Sequence, residues 1–286
     1  AGAWASGGDI NTARLELFGT GPGTAGLIAN GTTDGTHGSQ VTSCETYDGS
    51  SWTEVADTDQ KRQDCASAGV ATSALVTAGY TTDPQGNSSF TETFNGTSWA
   101  EETNITNGIQ ARKGLGETED AALIVSSGDS STCELWNGSS WTELADQNTA
   151  RSGQGTFGTS TAGIGAGGYP YVQIVESWNG ASWTEVGDIN TGRNYQPGAG
   201  TQTNGLIFGG NTPPATGKTE AFDGTSWTEF ADLTTARYHL VGGGTGGVAI
   251  AMGGTSGPTT QAATEEWDFT STTTPPGAQN IKIITD

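Results

Sequence analysis

Residues 220–237 read Glu-Ala-Phe-Asp-Gly-Thr-Ser-Trp-Thr-Glu-Phe-Ala-Asp-Leu-Thr-Thr-Ala-Arg, and close copies of this stretch recur along the whole chain. Each copy has an aromatic residue, a short Asp-Gly or Asn-Gly turn and then a tryptophan. The pairs are Tyr47/Trp52, Phe94/Trp99, Trp136/Trp141, Trp178/Trp183 and Phe222/Trp227. The tryptophans that close these turns lie 47, 42, 42 and 44 residues apart. A period in this range is typical of repeat architectures, so the repeat decides the fold.

The composition excludes several classes of partner. The chain has 286 residues and a net charge of −21, with 10 Lys and Arg against 31 Asp and Glu. Nucleic acids and anionic membranes both require a basic surface, so we expect no nucleic-acid partner. No run approaches the roughly 18 apolar residues of a membrane span, so we expect no membrane insertion. The 46 glycines combined with nine tryptophans indicate turn-rich β structure.

Each repeat predicts four β-strands. A Gly-rich strand comes first, followed by an apolar strand that ends in glycine, a strand with glutamate and an aromatic residue, and a tryptophan strand. Short apolar runs bounded by glycine are typical of buried strands. They occupy residues 26–31, 74–79, 121–128, 162–168, 205–210 and 248–254. Six such units of about 45 residues predict an all-β chain folded as a six-bladed β-propeller of four-stranded blades.

The two ends of the repeat array complement each other. Residues 1–14, AGAWASGGDINTAR, align with residues 180–193, GASWTEVGDINTGR, whereas the sixth repeat has no tryptophan strand after Trp267. We therefore expect the N-terminal strand to complete the last blade, which removes an open sheet edge. The predicted propeller spans residues 1–270, and residues 271–286 form a C-terminal tail or an extra strand. The predicted blade repeats are 14–57, 62–104, 112–146, 151–188, 193–232 and 237–270 plus 1–13.

Charged and aromatic residues recur at fixed repeat positions. All six arginines share one position: Arg14, Arg62, Arg112, Arg151, Arg193 and Arg237. A glutamate precedes each third-strand aromatic residue by two positions: Glu45, Glu92, Glu134, Glu176, Glu220 and Glu265. We favour one structural, charge-assisted bond per blade, from arginine to this glutamate or to a nearby aspartate, over six ligand sites. We expect the repeated tryptophans to pack between blades rather than stack on sugars: Trp4, Trp52, Trp99, Trp141, Trp183 and Trp227.

Catalytic patterns are scarce in this sequence. The two histidines, His37 and His239, occupy different parts of their repeats, so we expect no metal site and no cofactor. No Ser-His-Asp grouping, Walker loop or HExxH motif appears, and no carboxylate pair stands out from the repeats. The chain is therefore predicted not to be an enzyme. Cys44, Cys65 and Cys133 lack the spacing of a metal site or a disulfide framework, and we expect them to be buried.

The loops between the second and third strands break the repeat. They cover residues 32–40, 80–89, 129–131, 169–172, 211–218 and 255–263. In a ring of up-and-down blades these loops share one face with the connections between blades. Variable loops on a rigid scaffold commonly carry recognition. The candidate ligand-binding residues on this loop face are His37, Tyr80, Tyr169, Tyr171 and Lys218, and the alternative is simple drift of solvent-exposed loops.

The repeat resembles that of Kelch propellers. Their double glycine is matched by Gly167-Gly168, Gly209-Gly210 and Gly253-Gly254. The first three blades depart from it, with Asn30-Gly31, Ala78-Gly79 and a single Gly128. The chain is more similar to Kelch-like repeat proteins encoded by marine bacteriophages, whose units read like WNGxSWTEV–DxNTAR–GAGTQT–GLxFGG. Residues 178–210 nearly match that unit, and the resemblance covers residues 1–270.

The resemblance implies a propeller fold and a place in a virion. The expected function is a non-enzymatic structural protein of a tail fibre or surface decoration. It would bind another virion protein or a host-surface glycan through its loop face, in the virion or extracellularly. Two alternatives stay open, because propellers host many functions. One is a carbohydrate-active enzyme on the same fold, and the other is a purely structural decoration without a ligand.

Overall fold

Six four-stranded antiparallel sheets surround a central axis in the computed structural model of this chain. The structure describes residues 2–125, 127–128 and 130–269, so the predicted tail 271–286 lies outside the described residues. The innermost strand of each sheet contacts the innermost strands of its two neighbours, which closes the circle. The predicted six-bladed β-propeller is thus confirmed, and its geometry is consistent with a Kelch-like propeller.

In blades one to five the strands follow the chain from the axis outward, and in blade six the N-terminal strand is the outermost. Blade one contains Phe18–Thr20, Leu27–Ala29, Cys44–Tyr47 and Trp52–Val55, and blade two contains Ala66–Val70, Ser73–Thr77, Thr91–Phe94 and Trp99–Glu101. Blade three contains Lys113–Thr118, Ala121–Val125, Cys133–Trp136 and Trp141–Leu144, and blade four contains Gly155–Gly158, Gly163–Ala166, Val175–Trp178 and Trp183–Val186. Blade five contains Gly198–Thr201, Asn204–Phe208, Thr219–Phe222 and Trp227–Phe230, and blade six contains Val241–Gly244, Val248–Met252, Thr264–Asp268 and Ala3–Ser6.

Shorter elements lie in the variable loops. A 3-10 helix spans His37–Ser39, and two small hairpins pair Tyr80–Thr82 with Gln85–Asn87 and Thr255–Ser256 with Thr259–Thr260. The sequence predicted only loops in these three places. None of these segments carries the blade repeat, and each is held by local turn hydrogen bonds rather than by a buried apolar face.

The core lies between neighbouring blades. Second strands are buried along almost their whole length, whereas fourth strands such as Trp227–Phe230 bury the tryptophan and expose the two residues after it. Between blades six and one, Trp52 packs with Ile250 and Met252 in one apolar cluster. Burying a large side chain of this kind contributes roughly 1.5–3 kcal/mol. The repeated aromatic residues therefore join adjacent blades, as the sequence indicates.

The N-terminal strand closes the ring. Ala3–Ser6 pairs antiparallel with Thr264–Asp268, and Trp4 lies opposite Trp267 in the register. The two indole rings are 5.4 Å apart, and Trp4 also lies 4.7 Å from Phe208 of blade five. The first and last segments of the propeller therefore share one sheet, and the edge of the third strand of blade six is covered.

The glycine pair that ends a second strand has a backbone role. The N–H of Gly210 (φ 106°) donates to the carbonyl of Arg237 at the start of the next blade. A side chain there would be strained, since its Cβ would lie 3.0 Å from the Asn194 carbonyl oxygen. Where the first glycine of the pair is missing, Asn30 and Ala78 adopt the same left-handed backbone, with φ of 57° and 58°. The backbone turns away from the sheet at this pair. The apolar strands therefore end before the glycine positions at which the sequence predicted their ends.

Removing the closing strand should destabilise the whole ring. Deleting residues 1–13 removes Trp4 and exposes Trp267, so we expect a loss of more than about 3 kcal/mol in the free energy of unfolding. Chemical denaturation of the truncated and intact chains measures the difference. As a control, a synthetic peptide of residues 1–13 should restore stability when added in excess. A truncated chain that unfolds at the denaturant concentration of the intact one would contradict this closure.

The three free thiols should be inert in the folded protein. Burial raises the pKa of Cys44 to about 12 and the pKa of Cys65 and of Cys133 to about 11. Because the thiolate is the reactive form, a disulfide reagent at pH 8 should modify them at least about a hundredfold more slowly than an exposed cysteine. Denaturant should release three rapidly reacting thiols. A thiol that reacts in the folded chain would indicate a site exposed by blade opening.

Candidate functional site

Each of the six arginines forms a buried ion pair with the third-strand glutamate of its own blade. All twelve side chains are at most 3% exposed. The pairs are Arg14–Glu45, Arg62–Glu92, Arg112–Glu134, Arg151–Glu176, Arg193–Glu220 and Arg237–Glu265. A charge buried this deeply requires a partner. The geometry fits the structural interpretation of these repeat residues, since no ligand can reach them without opening a blade.

The same glutamates also hold the connection that enters each blade. Glu220 accepts the backbone N–H groups of Asn190 (2.7 Å) and Thr191 (3.3 Å) as well as the Arg193 guanidinium (2.6 Å). Equivalent bonds recur in the other blades. One carboxylate therefore neutralises the arginine and satisfies the polar backbone of the connection.

The repeated tryptophans fasten the outer edges of the blades. Trp99 of blade two donates from Nε1 to the carbonyl of Ala56 in blade one (3.0 Å). Trp227 donates in the same way to Gly187 of the preceding blade (2.9 Å). Trp52 and Trp141 make equivalent bonds. These side chains are occupied by contacts between blades, which leaves the loop face and the axis as places for a ligand.

Six residues form a backbone ring around the axis at the loop face, where the connections enter the blades. All six have a left-handed backbone with φ between 51° and 62°; they are Glu16, Asp64, Ala111, Gly153, Tyr195 and His239. Five hydrogen bonds of 2.6–3.1 Å join consecutive members, each from the N–H of one member to the carbonyl of the member in the preceding blade. The ring therefore fixes the backbone positions from which these side chains project, independently of the contacts that the side chains make.

Four of these side chains form a polar cluster, the axial cluster: Glu16, Asp64, Tyr195 and His239. His239 Nδ1 lies 3.7 Å from Glu16 Oε1 and 3.9 Å from Asp64 Oδ1, and the three side chains are 13–16% exposed. The Tyr195 ring stacks on the His239 imidazole with centroids 3.9 Å apart. The side-chain amide of Gln63 donates to Glu16. Two carboxylates and one imidazole thus converge on one partly open point of the axis.

The axial cluster has unusual protonation chemistry. Burial, with a smaller contribution from the charge of Asp64, raises the pKa of Glu16 to about 8. Burial also raises the pKa of Asp64 and lowers the pKa of His239 to about 3, the latter with a smaller effect of Lys113. Burial therefore favours the uncharged acid form of both carboxyl groups and the neutral form of the imidazole. The cluster lacks the positive charge that usually accompanies two buried carboxylates.

The structure separates the predicted loop-face residues into three places. His37 lies in the 3-10 helix of blade one, and its ring centroid is 4.2 Å from that of Tyr80 in blade two. Tyr169 and Tyr171 of blade four have centroids 6.1 Å apart and are 56% and 37% exposed. Lys218 instead forms an ion pair with Glu229 on the outer strand of blade five. The aromatic candidates therefore form two pairs: His37 and Tyr80 join two neighbouring loops, and Tyr169 and Tyr171 lie on one turn. Lys218 belongs to neither pair.

Two cavities accompany the axial ring. The innermost strands enclose a channel of about 460 Å³, whose charged lining residues are Lys113 and Glu117. A shallower depression lies at the smaller ring members, lined among others by Asp64, Ala111 and Tyr195. It gives solvent and small ligands a route to the edge of the axial cluster.

The axial cluster was not predicted from the sequence. The two histidines were considered as a pair, whereas in the structure the His37 ring lies tilted against Tyr80 and His239 lies near carboxylates of other blades. The signal was present at the position two residues after each arginine, which holds Glu16, Asp64, Tyr195 and His239. Equivalent positions of a propeller converge on its axis, so an unusual set of residues there marks a candidate site.

Comparison with known proteins gives no family assignment for the chain. No protein-family model matches the chain, and no curated protein is significantly similar to it. Within the described residues, no helix has the length and apolar character needed to cross a membrane.

Breaking one buried ion pair should cost far more than breaking an exposed one in the same blade. Arg193→Ala leaves Glu220 buried without its partner, so we expect the free energy of unfolding to fall by about 3–5 kcal/mol. Lys218→Ala is the matched control: it breaks a pair whose side chains are 36% and 48% exposed, which should cost about 0–1 kcal/mol. Urea denaturation measures both. Equal losses in the two variants would contradict a structural role of the buried pair.

Proposed function

We propose that this propeller is a non-enzymatic binding protein that holds a glycan at its loop face. The observation that carries the proposal is the pair Tyr169 and Tyr171, which are 56% and 37% exposed on a turn of blade four. Most large apolar side chains of the described residues are buried between blades. Tyrosine combines a flat apolar ring with a polar hydroxyl group, and both complement the faces and hydroxyls of a sugar.

The surroundings of this pair suit a neutral or weakly charged ligand. The chain carries a net charge of −21, so a polyanion would be repelled. The turn that carries the two tyrosines lies close to the axial ring, because the N–H of Tyr169 donates to the carbonyl of Ser152 (2.8 Å), the residue before the ring member Gly153. A saccharide stacked on Tyr169 and Tyr171 could therefore extend toward the axis. His37 and Tyr80 provide a second aromatic pair on the same face.

The rigid scaffold favours binding over turnover. The repeat glutamates are committed to arginines, so they offer no acid–base pair to a substrate. The carboxyl groups of Glu16 and Asp64 are the specific observation that favours the alternative of a carbohydrate-active enzyme, because burial raises the pKa of both, and carboxyl groups with raised pKa values can act as acids. A bound glycan that stays intact distinguishes the two functions.

The proposed biological place is the virion or the extracellular space. It rests on the resemblance of residues 1–270 to Kelch-like repeat proteins of marine bacteriophages. In a tail fibre or surface decoration, one face would attach to other virion proteins, and the loop face would bind the host-surface glycan. A purely structural decoration would occupy the same place without a ligand.

Substitution of the exposed tyrosines should remove glycan binding without affecting the fold. On a glycan array, Tyr169→Ala and Tyr171→Ala should each weaken the binding of the intact chain by about tenfold, or ~1.4 kcal/mol. Phe269→Ala is the matched control: this ring is 36% exposed, but it follows the third strand of blade six and lies at the opposite face. Thermal denaturation should be unchanged in the two tyrosine variants, whereas Phe269→Ala should keep glycan binding even if it loses some stability, because its ring packs on Phe230 and Trp267.

Three other results would each replace the proposal. Release of sugar products during the assay would indicate the enzyme. Binding to a purified virion protein but to no glycan would indicate a protein-binding face. Silence in both assays, with the chain found in purified particles, would indicate a structural decoration.

A further inference from the structure

We propose that Glu16, Asp64 and His239 form a binding site for a divalent transition-metal ion of the Zn²⁺ class. Each residue offers one ligand atom, and these three atoms all lie within 4.8 Å of one another. The ligands come from three different blades: Asp64 from the connection into blade two, Glu16 from that into blade one and His239 from that into blade six. The site is independent of the glycan proposed above.

The distances suit an ion of this size. Ligands about 2.0–2.1 Å from a tetrahedral zinc ion lie roughly 3.4 Å from one another. His239 Nδ1 is 3.7 Å from Glu16 Oε1 and 3.9 Å from Asp64 Oδ1. The Glu16 and Asp64 oxygens lie within 4.8 Å of each other. Shifts of about an ångström or less at each carboxylate oxygen would bring all three atoms into the coordination sphere.

The protein holds these ligands in place before any ion arrives. The backbone ring bonds Asp64 N–H to the Glu16 carbonyl (2.9 Å) and Glu16 N–H to the His239 carbonyl (3.1 Å). Tyr195 stacks on the imidazole, and Gln63 donates to Glu16. A histidine ligand is commonly oriented by such neighbouring contacts, which reduce the entropy lost on binding the ion.

The charge balance points to a cation. Among the described residues, no lysine or arginine lies within ion-pair distance of Glu16 or Asp64. All six arginines are paired with the blade glutamates, and Lys113 acts on Glu16 only through space. Among the described residues, the two carboxyl groups therefore face the His239 imidazole without a paired cation. A divalent ion is the group that satisfies all three.

The ligand set selects the kind of metal. Two carboxylate oxygens and one imidazole nitrogen suit Zn²⁺ and similar transition-metal ions, whereas Ca²⁺ and Mg²⁺ prefer oxygen ligands alone. Three protein ligands leave at least one position open, and the side chains are 13–16% exposed, so water or a ligand hydroxyl can complete the coordination. The bound ion would link blades six, one and two across the seam that the N-terminal strand closes.

The test uses the chelator-treated intact chain and zinc chloride alone. Calorimetric titration should show one zinc ion bound per chain, and zinc should raise the melting temperature, because an ion that binds only the folded state stabilises it. His239→Gln should weaken zinc binding by at least the roughly tenfold loss that follows removal of an outer-sphere partner of a ligand. His37→Gln, which changes the other histidine of the chain, is the matched control and should bind like the parent.

A second variant and a spectroscopic signature separate binding from folding. Glu16→Gln keeps the size of the side chain and its contact with Gln63, and it should also weaken zinc binding while circular dichroism stays unchanged. Cobalt(II) bound by the parent should give visible ligand-field bands that disappear on addition of zinc. Equal zinc affinity in His239→Gln and His37→Gln, or no zinc-dependent heat and no shift in melting temperature in the parent, would overturn the proposal.

Discussion

The buried arginine–glutamate pair is the interaction on which the rest of the propeller depends. Burial lowers the pKa of Arg62, Arg193 and Arg237, and the charge of the paired glutamate opposes this shift. The same glutamate accepts the backbone N–H groups of the connection between blades. The same glutamate therefore both neutralises the buried arginine and fixes the path of the chain between blades. Such a pair contributes little net free energy, but any other path would leave a charge buried alone, so the pair specifies geometry.

Fixing the connection also fixes what lies at the axis. Two residues after Arg14 and Arg237 the chain reaches Glu16 and His239, whose left-handed backbones are joined by a hydrogen bond of 3.1 Å. At the outer edge, the tryptophan indoles bond to the preceding blade and complete the attachment between sheets. The blades are thus attached to one another both near the axis and at their outer edges. The axial side chains project from backbone whose position the ion pairs fix.

The sequence predicted the blades but not the axial cluster, for a physical reason. Blade number, strand order and closure by Trp4 against Trp267 follow from the repeat, because the pattern of strands and turns can be seen in each copy. The cluster is formed by residues in different repeats, and no local spacing around Glu16 or His239 suggests ligands. Blade three adds a second difficulty, because Arg112 lies thirteen residues after Trp99 instead of ten. The ring member there is Ala111, directly before the arginine rather than two residues after it. Only the folded ring shows which residues are neighbours.

A specific site on a six-fold scaffold must come from departures from symmetry, because a sixfold-repeated contact would be one site copied six times. In the axial ring, one residue that departs from the repeat makes room for another. A Cβ on Gly153 would lie 2.8 Å from Cδ1 of Tyr195, so the glycine leaves the room that the tyrosine ring occupies. The tyrosine then stacks on His239, and Ala111 adds little bulk beside Asp64. Small residues on one side of the ring therefore give both the support and the access that the polar residues on the other side need to act as one site.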